Sequence, residues 1–160
     1  MNTKEYNNVA KSVSGKLYSY LKKSLGDAAV AQDLVQESFE KLWKHHKELE
    51  MEQAEKWLFT TGYRAMLNWI RKNKRMDRME EAPPEIPVHS ENQYDLKEWI
   101  ELGLAQLSPA QKQIILLRDM QGYSYQEIEE ITELSADQVK VYLFRARKKL
   151  KTILSKLAET

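Results

Sequence analysis

The chain has 160 residues, enough for one domain or for two small helical ones. Lys and Arg number 25 against 24 Asp and Glu, a net charge of +1, and 42% of the residues are hydrophobic, an ordinary balance for a protein with a packed core. The absence of cysteine excludes disulfides, thiolate metal sites and cysteine chemistry. No run approaches the roughly 18 apolar residues of a membrane span, and Met1-Asn2-Thr3-Lys4-Glu5 leads into no apolar leader-like stretch. A cytoplasmic location without membrane insertion is therefore expected.

Charge is neutral in sum but not in distribution. Lys140, Arg145, Arg147, Lys148, Lys149 and Lys151 form a basic run without an acid, and Arg71 to Arg78 is a second basic run interrupted only by Asp77. Asp33, Glu37 and Glu40 crowd another segment. Two basic patches and one acidic one suggest two contacts with DNA and a different kind of partner elsewhere.

Helical periodicity dominates, and no segment shows the two-residue period of a strand. The first legible helix runs from Asp27 to about His46. At 100° per residue, Ala31, Leu34, Val35, Ser38 and Leu42 share a core-facing side, and Asp33, Gln36, Glu37, Glu40 and Lys44 share the opposite one. Phe39 and Trp43 sit on the flank, and an aromatic pair bordering carboxylates suits a protein-docking site.

The next helix is read from about Lys56 to Arg75. Its buried stripe is Phe59, Gly62, Tyr63, Met66 and Ile70. Across from it, within about 40° of one line, run Trp57, Thr61, Arg64, Asn68, Arg71 and Arg75. Stacking, hydrogen-bonding and phosphate-neutralising groups on one face suit opened or single-stranded DNA.

Three of the four prolines fall in Glu80-Glu-Ala-Pro-Pro-Glu-Ile-Pro-Val-His-Ser-Glu91, which reads as a flexible linker. The expected fold is all-α: a domain over 1–79, a linker over 80–93 and a second domain over 94–160. In the second domain, a helix near 94–107 is followed by three announced by Ser108/Gln111, Ser124/Glu127 and Ser135/Gln138, each a reciprocal capping box. Pro109 opens the first of these, and Gly122 closes it. The predicted helices are 109–121, 124–132 and 135–157. Glu133-Leu134 leaves room only for a tight helix–turn–helix corner. The last helix buries Val139, Leu143, Ala146, Leu150, Ile153 and Leu157. Its other side shows Asp137, Lys140, Val141, Phe144, Arg145 and Lys148, where Arg and Lys can read guanine edges and the apolar pair can touch thymine methyls.

At these residues the chain resembles the extracytoplasmic-function sigma factors of the sigma-70 family, over nearly its whole length. Asp33-Leu-Val-Gln-Glu-Ser-Phe-Glu-Lys-Leu-Trp43 is similar to the segment that grips the clamp helices of the largest subunit of RNA polymerase. Trp57-Leu-Phe-Thr60 and the basic helix after it look like the element that melts and reads the −10 promoter region. Leu107 to Arg118, Gly122 to Ile128 and Val139 to Leu150 look like the −35-reading domain. The resemblance implies a factor that binds core polymerase and promoter DNA. Asp33, Gln36, Glu37, Phe39 and Trp43 would then face polymerase, Trp57 to Arg75 the −10 element, and Lys140, Val141, Phe144, Arg145 and Lys148 the −35 element. It further implies a flap contact for the C-terminal domain, and it leaves a place for an anti-sigma factor. Leu49 to Gln53 would receive a flipped −10 base, although this stretch is one residue short of the family pattern. Tyr63-Arg64 replaces a common Arg-Asn pair, so the family's −10 base preference does not carry over. Glu133 stands where the family has a turn glycine, and Glu129 where it has a small residue.

An autonomous helix–turn–helix regulator would account for the second domain but not for the acid–aromatic face, and no zipper-like dimerisation run is present. An enzyme is the remaining alternative. Adjacent His45 and His46 diverge by about 100° on a helix, His89 lies in the linker, and no phosphate loop or nucleophile motif occurs. No catalysis, metal or cofactor is expected.

Overall fold

The computed structural model of the chain describes residues 1–74 and 95–158. The expected linker, together with Arg75 and Tyr94, lies outside the described residues, as does the Leu157 side chain. Among the described residues every regular element is helical.

The helix α1 (Thr3–Leu25), absent from the sequence reading, begins at a capping box between Asn2 and Glu5 and ends at Gly26, whose φ of +69° is left-handed. It buries Val9, Val13, Leu17, Tyr20 and Leu21. Asp27 caps α2 (Ala28–His45), and its side chain accepts from the Val30 N–H at 3.1 Å. A 3₁₀ turn, His46–Glu48, leads to α3 (Met51–Lys74). That start is five residues earlier than expected. The Gln53 side chain accepts from the Glu50 N–H at 3.1 Å and Gln53 N–H donates to the Glu50 carbonyl at 3.0 Å, which commits Met51 onward to helix. The loop anticipated over Leu49 to Gln53 is thereby reduced to Leu49 and Glu50.

Helices α1, α2 and α3 pack mutually as one three-helix unit. Gly62 permits the close approach of α3 to α1, for a Cβ there would lie 3.0 Å from a Leu17 methyl. Ser38, buried on the core side of α2, donates its hydroxyl to the Leu34 carbonyl at 2.8 Å and so is not itself left unpaired.

The second unit comprises α4 (Leu96–Ala105), α5 (Pro109–Ile115), α6 (Tyr125–Thr132) and α7 (Ala136–Ala158). All three serine boxes form, and a fourth links Asp95 with Glu98. The helix expected over 109–121 departs from α geometry after Ile115: Leu116–Met120 is a π-helix, and Gln121 N–H reaches back to the Leu116 carbonyl at 3.1 Å. Gly122 follows with φ +78°. The corner between α6 and α7 forms where Glu133-Leu134 was read. Glu133 takes φ +62°, the one non-glycine residue with positive φ among those described. For an L side chain this costs about 1–2 kcal/mol. Glu133→Gly is therefore expected to stabilise the fold by about 1 kcal/mol, and thermal unfolding should report a rise of about 2–4 °C. An unchanged or lower midpoint would show that the corner is not strained.

The two units are packed on each other. A continuous buried cluster includes Leu17, Tyr20, Phe59 and Met66 of the first and Ile114, Leu117, Tyr123 and Ile128 of the second. Helix α3 lies against α6, and α1 touches α5.

Candidate nucleic-acid interface

On α2 the division into faces is as expected. Ala31, Leu34, Ser38 and Leu42 are buried, while Val35 is half-buried. Asp33, Gln36, Glu37, Glu40 and Lys44 are exposed. Glu37 pairs with Lys41 at 3.1 Å, and the Gln36 amide donates to Glu40 at 3.3 Å, so the face is pre-ordered along the helix.

Phe39 is half-buried, and Trp43 is 46% exposed. Both rest on Tyr6 of α1, with ring centroids 6.3 and 5.0 Å away in edge-on geometry. Trp43 also stacks on His46 at 4.2 Å. His46 is buried, its Nδ1 lying 2.5 Å from the Trp43 carbonyl, which explains a histidine that the sequence reading treated only as a poor metal ligand. These side chains enclose a shallow groove of about 500 Å³ lined by Tyr6, Gln36, Phe39, Glu40, Trp43 and Lys44. Sequence reasoning missed Tyr6 and His46, because both support the aromatic pair from outside its own helix face.

On α3, Phe59, Gly62 and Met66 are buried as expected, whereas Tyr63 and Ile70 are half-buried. Arg64, Asn68 and Arg71 are exposed along one line. Trp57 and Thr61, read as members of that row, are half-buried, and the Trp57 ring leans towards His45 with centroids 6.0 Å apart. Arg64 pairs with Glu133 at 3.5 Å, and Lys56, two turns earlier, with Glu130 at 2.5 Å. Both acids belong to the second unit.

On α7, Val139, Leu143, Ala146 and Ile153 are buried, and Leu150 is half-buried. Asp137, Lys140, Val141, Phe144, Arg145 and Lys148 are all exposed, Phe144 by 68%. A groove of about 390 Å³ runs along this side, between Tyr125 at the start of α6 and Lys140, Phe144, Lys148 and Lys151. Arg147 belongs to the basic run by sequence but to the scaffold by contact. Its guanidinium holds Asp119 through two bonds of 3.0 and 2.5 Å, which raises its pKa. Arg118 is likewise engaged, donating to the Tyr123 carbonyl at 2.8 Å and lying 4.9 Å above the Tyr125 ring.

Among the described residues no group of three or more His, Cys, Asp or Glu could hold a metal ion, and no helix is long and apolar enough to cross a membrane.

The family pattern described as Sigma-70 region 2 matches residues 9–76, and that of Sigma-70, region 4 matches residues 97–150, together well over half of the chain. The chain belongs to the sigma-70 family. It is a sigma factor of the extracytoplasmic-function type, built of region 2 and region 4, and it directs promoter recognition by RNA polymerase. Among its relatives is the ECF RNA polymerase sigma factor SigM of Bacillus subtilis, 24% identical over 88% of this chain and 89% of that one. SigX of the same organism is 26% identical over 89% of this chain and 80% of that one. In fold it resembles the sigma factor RpoE of Bartonella quintana, solved with the anti-sigma factor NepR, at TM-score 0.78 and 24% identity over 96% of this chain and 98% of the other. It also resembles CnrH, solved with the cytosolic domain of CnrY, at TM-score 0.70 and 20% identity over 96% of this chain and 90% of the other. Sigma factors are in general initiation factors, not enzymes, and their two regions imply core polymerase and promoter DNA as partners.

Proposed function

We propose that the three exposed faces divide the work of this sigma factor. Region 2 would occupy 1–79 and region 4 residues 94–160, with 80–93 as the connection between them. The face of α2 carrying Asp33, Gln36, Glu37, Phe39 and Trp43 docks on the clamp helices of the largest polymerase subunit. A row of carboxylates beside a half-exposed aromatic pair offers both the charge and the anchor that such a contact needs. Region 4 adds a contact with the flap, and its α7 reads the −35 element through Lys140, Val141, Phe144, Arg145 and Lys148. An anti-sigma factor is a further partner, and the protein works in the cytoplasm beside polymerase.

The face of α3 acts on the opened −10 element. The observation that carries this reading is the exposed line Arg64, Asn68 and Arg71, opposite the buried Phe59 and Met66. Trp57, at one end of the row, is only half-buried, and an unstacked base stacking on its accessible ring is worth about 1–3 kcal/mol. Thr61 adds a hydroxyl, and Arg75 continues the basic line in sequence. Arginines on one line hold the backbone of a separated strand, whereas a stacking ring is of little use against paired bases.

Arg64→Ala and Asn68→Ala are expected to leave core binding and −35 binding intact and to reduce promoter melting by at least tenfold, about 1.4 kcal/mol. Permanganate reactivity of thymines around the start site measures this. Full melting by both variants would return α3 to an ordinary solvated surface.

A further inference from the structure

The exposed face of α7 carries an uneven set of hydrogen-bonding groups. Lys140, Arg145 and Lys148 only donate, and Val141 and Phe144 neither donate nor accept. Ser135 and Gln138, at the start of the helix, are engaged by its cap. The Ser135 N–H donates to the Gln138 side-chain oxygen at 2.9 Å, and the Gln138 backbone N–H to the Ser135 hydroxyl oxygen at 3.2 Å. Asp137 is left as the one acidic residue in the α7 sequence. It is exposed, and among the described residues it has no hydrogen-bond or ion-pair partner, although Lys140 stands only three residues on. At 100° per residue it falls within about 40° of Val141, Phe144 and Lys148, in the middle of the face and ahead of its cations.

We propose that Asp137 is a specificity-determining residue of this factor, accepting from the N4 amino group of one cytosine in the −35 element. The proposal rests on the assignment of α7 to that element. In a helix–turn–helix the N-terminal part of the second helix contacts the base edges of the major groove, and Asp137 lies in the first turn of α7. Its carboxylate accepts and cannot donate. Guanine O6 and N7 and thymine O4 are acceptors and repel it. Adenine sets an N7 acceptor beside its N6 donor, whereas cytosine N4 is a donor alone. Phosphates repel the carboxylate as well. It therefore weakens contact with DNA in general and is compensated only at the matching base, which is how a repulsive group sharpens choice. Val141 and Phe144, 43% and 68% exposed, bring apolar surface beside the contact and thin the water that would screen it. A first-turn carboxylate also favours the helix dipole, but that effect is blind to base sequence.

The test is binding of core polymerase carrying this chain to duplexes with a fixed −10 element and a randomised −35 element, the bound pool being sequenced. The unaltered chain is expected to favour cytosine at one −35 position by about 5- to 150-fold, the range for a single mismatched pair. Asp137→Ala should level that position, leave preferences at the other positions in place and raise binding to the disfavoured sequences. Asp137→Asn, close to the native shape, should move the preference to adenine, whose N6 and N7 an amide meets together. Both variants should keep the native helical content, since no partner within the fold is lost. An unchanged profile in Asp137→Ala, or a shift of all sequences alike, would overturn the proposal and leave the carboxylate only to repel phosphates or to favour the helix start. Loss of a preference for an A·T pair in place of cytosine would overturn it as well. A flat profile of the unaltered chain across the −35 element would instead remove α7 from that element, and Asp137 with it.

Discussion

Replacing Asp33 and Glu37 together with alanine is expected to weaken association with core polymerase by roughly 30-fold or more, about 2 kcal/mol, the lower end for a charge pair desolvated at an interface. The effect should be confined to binding. Both residues are exposed on the side of α2 away from Ala31, Leu34, Ser38 and Leu42, and the ion pair removed is the surface bridge of Glu37 with Lys41. Such a pair contributes at most about 0.5 kcal/mol to the helix. Helical content and thermal midpoint should therefore stay nearly unchanged while the affinity falls. Full-strength core binding by the double variant would remove the α2 face from the interface.

Arg145→Ala is the second large effect, and its signature is selectivity. A bidentate contact with a guanine edge is worth about 1–3 kcal/mol of discrimination, so the loss should appear at one position of the −35 element and be small at promoters that differ there. Lys149 and Lys151 are exposed further along the helix and should behave differently. Neutralising either is expected to weaken all promoters alike and to flatten the log–log salt dependence by about 0.9 for each phosphate no longer neutralised. Arg147 is different again: its hold on Asp119 ties α7 to the π-helical segment, so its removal should lower stability. Equal weakening of every promoter by Arg145→Ala would make it a backbone anchor.

Much of this design could be read from residues alone, because helix faces follow from periodicity and helix starts from caps. Ser108, Ser124 and Ser135 each open a helix as their capping boxes predict, and the faces of α2 and α7 have the predicted exposure. Asn2 and Glu5, followed by Val9, Val13, Leu17 and Leu21, carry the same kind of signal for α1, the one long helix not anticipated above. The start of α3 was hidden because its local cap is the side chain of Gln53 folding back on Glu50, and no Ser, Thr, Asp or Asn marks it. Half-burial of Phe39, Trp57 and Thr61 depends on neighbours distant in sequence, which periodicity cannot supply. The same holds for Tyr20 and Gln113. Each lies on an inward face of its own helix, and only the docking of one region on the other makes them partners.

The central claim is that this chain confers promoter selection on polymerase, and transcription reconstituted from purified core polymerase and this protein over a promoter library tests it most directly. Transcripts are expected from a defined subset of templates that share a −35 and a −10 element. These should be absent with core alone and should disappear when Asp33 and Glu37 are replaced. A protein that binds duplex DNA at fixed sites by itself, yet yields no initiation with core polymerase on any template, would contradict it.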